Sequence, residues 1–144
     1  MRSRFQQIAV LIAVLVMSAV AVLPVFAQGP VTTDAIAGTW YGNMRFSNVN
    51  SVERIKVEVP AGCQSGDVCG SMQNFPVQCT WEITYDGYSD GAYEYHFSET
   101  LSGDCPAGSA GSLTLLADGT LYRVHTTPNF TASGLLRQRP NAGH

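Results

Sequence analysis

TWEITYDGYSDGAYEYHF, residues 80–97, contains two runs of alternating polar and apolar residues with two Asp-Gly pairs between them. A period of two is typical of strands that bury one face, and Asp-Gly is typical of hairpin turns. The stretch therefore predicts a β-hairpin in which each strand buries one side. The inward face, continued one residue back and four residues on, is predicted to carry Cys79, Trp81, Ile83, Tyr85, Tyr93, Tyr95, Phe97, Glu99 and Leu101.

Similar segments lie on both sides of this hairpin, and none of them has a convincing helical period. Ile55, Val57 and Val59 alternate with charged residues, and Asp118-Gly119 predicts a two-residue hairpin loop. The predicted strands are residues 38–47, 52–59, 68–74, 78–85, 92–101, 110–117, 120–127 and 132–138. Eight antiparallel strands can form a sandwich or an up-and-down barrel, and we favour the all-β barrel because closure leaves no unpaired edge.

The first 27 residues have the pattern of a secretory signal peptide. Arg2 and Arg4 precede an apolar run that ends at the small-residue sequence Val25-Phe26-Ala27. An uncleaved membrane anchor is the alternative, but Pro24 and Ala27 favour cleavage. The predicted organisation is a leader (1–27), an N-terminal tail (28–37), one barrel domain (38–138) and a C-terminal tail (139–144), with no stable membrane span after cleavage.

The charge of the chain excludes some classes of partner. Its formal net charge is −3, two of its arginines lie in the leader, and Lys56 is its single lysine. Nucleic acids and anionic membranes are bound through clusters of basic residues. We therefore expect no nucleic acid partner.

All four cysteines lie beyond the leader, where an oxidising compartment favours disulfides. Four cysteines allow three pairings. We favour Cys63 with Cys69, which bracket the Gly-containing tip CQSGDVC, and hence Cys79 with Cys105. A metal-thiolate site is disfavoured because paired C-x-x-C units are absent from the sequence, and no metal or cofactor is expected.

The opening of the first strand, GTWYG, carries a family resemblance. Gly38 two residues before Trp40, together with Arg137 on the last strand, resembles the closure signature of lipocalin and avidin-like barrels. That resemblance implies that Trp40 closes one end of the barrel and that Arg137 lies across it in a cation-π contact. The alternative is that Trp40 is an ordinary core residue.

A second resemblance extends from Ala37 to Arg137. The order of GTWYG, Gly70, Cys79, FSETL, Cys105, GSLTLLADGTLYRV and GLLRQ is similar to small extracytoplasmic domains of bacteria, including the C-terminal domains of some actinobacterial membrane serine/threonine kinases. The matching cysteines, Cys79 and Cys105, support the favoured pairing. The chain departs from that family in lacking a kinase and in having the additional Cys63/Cys69 loop.

The sequence contains little that indicates catalysis. Residues 108–111 lack the first glycine of a nucleophile elbow, and His96 and His125 have no spacing that brings carboxylates to both. We therefore predict that the protein is not an enzyme. If it were one, Glu99 is the carboxylate we would suspect, since a buried acid can have a raised pKa.

Glu99 is predicted to point inward, where a carboxylate needs a partner such as Arg123 or Arg137. The pair either fixes the barrel or anchors a ligand at its mouth. The predicted ligand-binding residues are Trp40, Trp81, Tyr95, Phe97, Glu99 and Arg123.

These observations predict a secreted, non-catalytic binding module whose partner is a small molecule or a protein. One alternative is a protease inhibitor, because small periplasmic inhibitors of bacterial metalloproteases are similar in having a barrel, a disulfide and an opening like IAGTW. Such inhibitors act through an N-terminal tail, which here would be Gln28 to Ala35 as an extended strand. A structural envelope protein with a filled barrel is the other alternative.

Overall fold

All eight predicted strands are present in the computed structural model, which describes residues 30–139, and they pair in chain order to form a closed barrel. The predicted leader and all but the first residue of the predicted C-terminal tail lie outside this range. The strands are β1 (Gly38–Phe46), β2 (Val52–Val59), β3 (Val68–Asn74), β4 (Cys79–Ser89), β5 (Ala92–Ser102), β6 (Ala110–Leu115), β7 (Leu121–Thr126) and β8 (Thr131–Gln138). Because β1 pairs antiparallel with both β2 and β8, the sheet has no edge. The fold is the predicted all-β, eight-stranded, up-and-down barrel.

The β4–β5 hairpin turns at the second of the two predicted Asp-Gly pairs, because β4 continues to Ser89. Asp86-Gly87 lies within β4, and the turn is made by Asp90 and Gly91, whose φ angles are 49° and 82°. Two positive φ values suit the two-residue turn that matches the twist of a hairpin. The prediction of a two-residue loop at Asp118-Gly119 is wrong, because β6 ends at Leu115 and the loop runs from 116 to 120.

The inner face of the barrel follows the predicted alternation along most strands. In β2 the buried residues are Ile55, Val57 and Val59, as expected. The predicted inner faces of β4 and of the first half of β5 are likewise buried, from Cys79 to Tyr85 and from Tyr93 to Phe97. The core is therefore formed by one side of every strand.

The alternation fails in the second half of β5 because of a β-bulge. Ile83 faces Phe97 across the β4–β5 ladder, whereas Glu82 faces Glu99, so Ser98 is an extra residue. An inserted residue moves every later side chain to the other face. The prediction that Glu99 points inward is therefore wrong: it is exposed and lies opposite Glu82.

Leu101 is also exposed, contrary to the prediction. Thr100 is half-buried opposite Trp81, and its hydroxyl donates a hydrogen bond to the Cys105 carbonyl at 2.7 Å. Because of the bulge, the side chain opposite Trp81 is the small hydroxyl of Thr100, and the carboxylate of Glu99 lies outside.

A short 3₁₀ helix, Thr33–Ile36, plugs one end of the barrel. Ile36 is 1% exposed, and its carbonyl accepts a hydrogen bond from the Trp40 indole N–H at 2.9 Å. The Thr33 hydroxyl donates to the Pro60 carbonyl at 2.7 Å, and the Gly62 amide donates to the Asp34 carboxylate at 2.8 Å. The predicted tail therefore contributes Thr33 and Ile36 to the buried interior.

Arg137 does not close this end, so that prediction is wrong. In β8 the inward positions are Ala132 and Leu136, and Arg137 falls on the outer face, where it is exposed. The Trp40 ring is buried, but its polar contact is the helix carbonyl. The barrel is therefore closed at this end by the Thr33–Ile36 helix, through its backbone and the apolar side chain of Ile36.

Both ends of the described chain meet at the plugged end. The Tyr85 hydroxyl donates a hydrogen bond to the Val31 carbonyl at 3.1 Å. Gln138, the last residue of β8, pairs with Trp40, and its side-chain amide donates to the Ala37 carbonyl at 2.9 Å. The opposite end of the barrel is left to loops alone.

The two favoured disulfides are confirmed, with Cα–Cα distances of 6.0 Å for Cys63–Cys69 and 6.2 Å for Cys79–Cys105. The Cys63 amide donates to the Thr33 hydroxyl, so the first disulfide lies beside the plug. Cys79 begins β4 and Cys105 follows β5, so the second disulfide lies at the opposite end. Each end of the barrel therefore has one covalent cross-link.

Candidate ligand-binding cavity

The unplugged end of the barrel opens into a cavity of about 560 Å³. Its rim is formed by the loops that follow β3, β5 and β7, including residues 105–109 and 127–130. The pocket found in the plugged half, beside Thr33 and Ile36, has a volume of about 10 Å³. The two halves of the barrel thus differ: one is packed, and the other encloses space.

The wall of the cavity is mainly apolar. Trp81 and Phe97 lie against it with their rings stacked, 4.9 Å between centroids and 11° between planes. The Trp81 indole donates a hydrogen bond to the Pro106 carbonyl at 3.0 Å, which fixes the rim loop to the wall. The remaining apolar wall includes Met44, Ile55, Met72 and Ala132.

Arg123 is a buried cation in this wall, 2% exposed and directed inward from β7. Its Cζ lies 5.7 Å from the Tyr95 ring centroid and 6.0 Å from that of Phe97. Among residues 30–139 no carboxylate lies within ion-pair distance of it. Its Nε and Nη2 atoms are buried without a hydrogen-bond partner, an arrangement that costs free energy unless something compensates for it.

Tyr95 lies beside Arg123 in the packed part of the interior. Its hydroxyl is buried without a hydrogen-bond partner and is pressed against Gly111, where a Cβ atom would clash with it. Burial raises the pKa of the Tyr95 hydroxyl, an effect that the charge of Arg123 and the approach of its N–H donors to the hydroxyl partly offset. The hydroxyl therefore remains protonated at neutral pH.

His125 lines the cavity one inward position beyond Arg123. Its ring centroid lies 5.0 Å from that of Phe97, and its Nδ1 has no hydrogen-bond partner. Burial, and secondly the charge of Arg123, lower the pKa of His125 to about 4. The imidazole is therefore neutral at pH 7 and adds no charge to the cavity.

Glu53 and Asn74 stand at the rim. The Asn74 side-chain amide donates a hydrogen bond to the Glu53 carboxylate, and the Asn74 Oδ1 atom is buried without a partner. Glu53 is the one carboxylate among the described residues that line the cavity. The cavity thus contains a buried cation, Arg123, and a carboxylate at the rim, Glu53, which accepts a hydrogen bond from Asn74.

The structure brings together only part of the predicted ligand-binding set. Trp81, Phe97 and Arg123 line the cavity, and Tyr95 contacts Arg123 from behind. Trp40 belongs to the plug. Glu99 is on the outer surface and cannot pair with Arg123 inside.

Sequence reasoning missed His125, Asn74 and Glu53 as cavity residues. The period of two could have identified each of them. His125 lies two residues after Arg123, Asn74 two residues after Met72, and Glu53 two residues before Ile55, so each shares a strand face with an inward residue. The alternation that predicted the core therefore also places these polar side chains inside.

Two further properties concern the described part of the chain. Within residues 30–139, no group of three or more His, Cys, Asp or Glu side chains is placed to hold a metal ion. None of the helices in that range has the length and apolar character needed to cross a membrane.

Fold and cavity together define the class of structure: a closed eight-stranded antiparallel barrel, cross-linked by two disulfides, plugged at one end and hollow at the other. Comparisons of the chain with protein-family models, with curated proteins and with solved structures gave no match.

Proposed function

We propose that the protein is a non-catalytic binding module that holds a small, largely apolar molecule in its barrel. The observation that carries the proposal is the cavity of about 560 Å³ beside a half that is packed. Cavities of about 300 to 1,000 Å³ with apolar walls and a few polar groups are typical of small-molecule sites. This cavity has such walls, with Arg123, His125 and Asn74 as buried polar groups.

We further propose that the protein acts outside the cytoplasm. Two disulfides in a small domain support this, because such cross-links persist mainly in oxidising compartments. The leader predicted from residues 1–27 supports the same location.

The two alternatives have less support. A purely structural barrel predicts a filled interior, which the cavity does not favour. The inhibitor alternative predicts an extended N-terminal tail, whereas Thr33 to Ala35 lie in the 3₁₀ helix and Thr33 is buried. We therefore place binding of a small molecule first.

A neutral fluorescent probe tests the proposal without any contribution from charge. N-phenyl-1-naphthylamine, titrated into the oxidised protein purified from an exporting host, should show enhanced emission that saturates at one probe per chain. No saturable enhancement would overturn the proposal.

A pair of variants on β8 locates the site. Ala132 lines the cavity, whereas Leu135 is exposed on the outer face of the same strand. Ala132→Phe should weaken probe binding at least 10-fold, because the ring occupies the cavity, and Leu135→Phe should leave it unchanged. Near-ultraviolet circular dichroism would verify that both variants are folded. Equal affinity of both variants would place the probe elsewhere.

A further inference from the structure

We infer that the ligand of the cavity is an organic anion, an apolar body with a carboxylate group, and that Arg123 binds the carboxylate. This rests on the proposed function and specifies its ligand class.

The charge balance of the cavity is the first argument. Arg123 is a permanent cation that is almost completely buried, and no carboxylate among residues 30–139 pairs with it. His125 is neutral at pH 7, and Glu53 at the rim lies beyond ion-pair distance of Arg123 and accepts from Asn74. The interior therefore has an uncompensated positive charge, which a bound anion would neutralise.

The unpaired atoms of Arg123 are the second argument. Nε and Nη2 lie on one edge of the guanidinium plane, and both are without a partner. Two parallel N–H groups on such an edge match the two oxygens of a carboxylate. Both nitrogens are enclosed in the wall, so we expect the guanidinium to turn towards the cavity when a carboxylate binds, and a neutral alcohol could satisfy only one of the two donors.

The rest of the cavity specifies the body of the ligand. The stacked Trp81 and Phe97 rings and the side chains of Met44 and Met72 offer apolar contacts and few hydrogen bonds. Methionine side chains adapt to irregular apolar shapes. The site therefore fits a molecule with one anionic end and a mainly apolar remainder.

Displacement of the neutral probe by two ligands of equal chain length tests this inference. At pH 7.5, decanoate should displace N-phenyl-1-naphthylamine from the oxidised wild-type protein with a Kd about 10-fold or more below that of decanol, as expected for charge-assisted hydrogen bonds. Decanol measures the apolar contribution alone.

Three variants test the role of Arg123. Arg123→Met, which keeps an apolar stem, should abolish the preference for decanoate but retain decanol binding. Arg123→Lys should keep part of the preference, since it keeps the charge and loses the two-pronged geometry. Arg137→Met, at an exposed arginine of β8, should keep it fully.

The outcomes separate this inference from the proposed function. If the probe binds but wild type shows no preference for decanoate, or if the preference survives Arg123→Met, the carboxylate inference is overturned and the binding function stands. If the probe does not bind at all, both are overturned. The wild-type comparison needs no variant, so a folding failure of Arg123→Met does not remove the test.

Discussion

A guanidinium keeps its charge at any ordinary pH, so its burial must be compensated by a partner or borne as a cost. In the described chain Arg123 has neither a carboxylate nor a hydrogen-bond acceptor for two of its nitrogens. Its contacts with the faces of Tyr95 and Phe97 are the attractive contribution that the protein supplies. We therefore expect the barrel without a bound anion to be less stable than the same barrel with an apolar side chain at this position.

Replacing Arg123 should accordingly stabilise the protein. We expect Arg123→Met to raise the free energy of unfolding by about 1 to 3 kcal/mol, because it removes a buried, unsatisfied charge. Urea denaturation of the oxidised protein measures this. The control Arg137→Met, at an exposed site, should change stability by no more than about 0.5 kcal/mol. A clear destabilisation by Arg123→Met would show that Arg123 has compensating contacts.

His125 should make stability fall in acid. Its folded pKa of about 4 lies below the ordinary value of 6.5, so the unfolded chain binds a proton first. Its contribution is complete above about pH 6.5 and is lost as the pH falls towards about 4, by roughly 2 to 3 kcal/mol. The measurement is the free energy of unfolding between pH 4 and 7.5. His125→Phe should flatten this dependence; equal profiles for wild type and His125→Phe would contradict the prediction.

At the scale of elements, alternation predicted all eight strands and most inner faces, because a strand with one buried side must repeat every two residues. The same rule failed at Glu99, since the extra residue at Ser98 reverses the phase without leaving a sign in the residue types. The separate rule that Asp-Gly marks a turn failed at Asp86-Gly87, which lies within β4. The positions of bulges and turns depend on pairing across the sheet, which a single run of sequence does not contain.

The two disulfides should differ in what they contribute. Cys79–Cys105 spans 26 residues and Cys63–Cys69 spans 6. In the chain-entropy account these loops correspond to about 3.5 and about 2.2 kcal/mol, because closing a longer loop restricts the unfolded chain more. Urea denaturation of the two double Cys→Ala variants should therefore give the larger loss for the Cys79–Cys105 pair. The reverse order would mean that contacts of the folded state, such as those around the plug, outweigh loop entropy.

At the scale of the whole molecule, the barrel separates its packed half from its hollow half. The sequence predicted closure and an interior, but it did not show which half was hollow, because that depends on how far the Thr33–Ile36 helix enters one end and on which polar residues face inward at the other. Three of the six predicted ligand-binding residues line the cavity: Trp81, Phe97 and Arg123. The other lining residues were not predicted as ligand contacts, because alternation indicates which face of a strand a residue lies on but not which inward residues border open space.

This separation predicts that stability and binding can be changed independently. Ile36→Ala should destabilise the protein by about 2 to 5 kcal/mol, since it empties a buried position in the plug. The affinity for N-phenyl-1-naphthylamine should stay within about 2-fold of wild type, because the plug does not line the cavity. Val31→Ala, at an exposed position beside the plug, serves as the control. A large loss of affinity in folded Ile36→Ala would show that the two halves are coupled.

The meeting of both described chain ends at the plugged end has a practical consequence. A tether attached through either end, whether a support surface, a fused partner or an affinity tag, joins the barrel at the pole opposite its mouth. The mouth is then directed away from the attachment and stays open to the surrounding solution. Attachment of the barrel at either end of residues 30–139 therefore leaves the cavity uncovered.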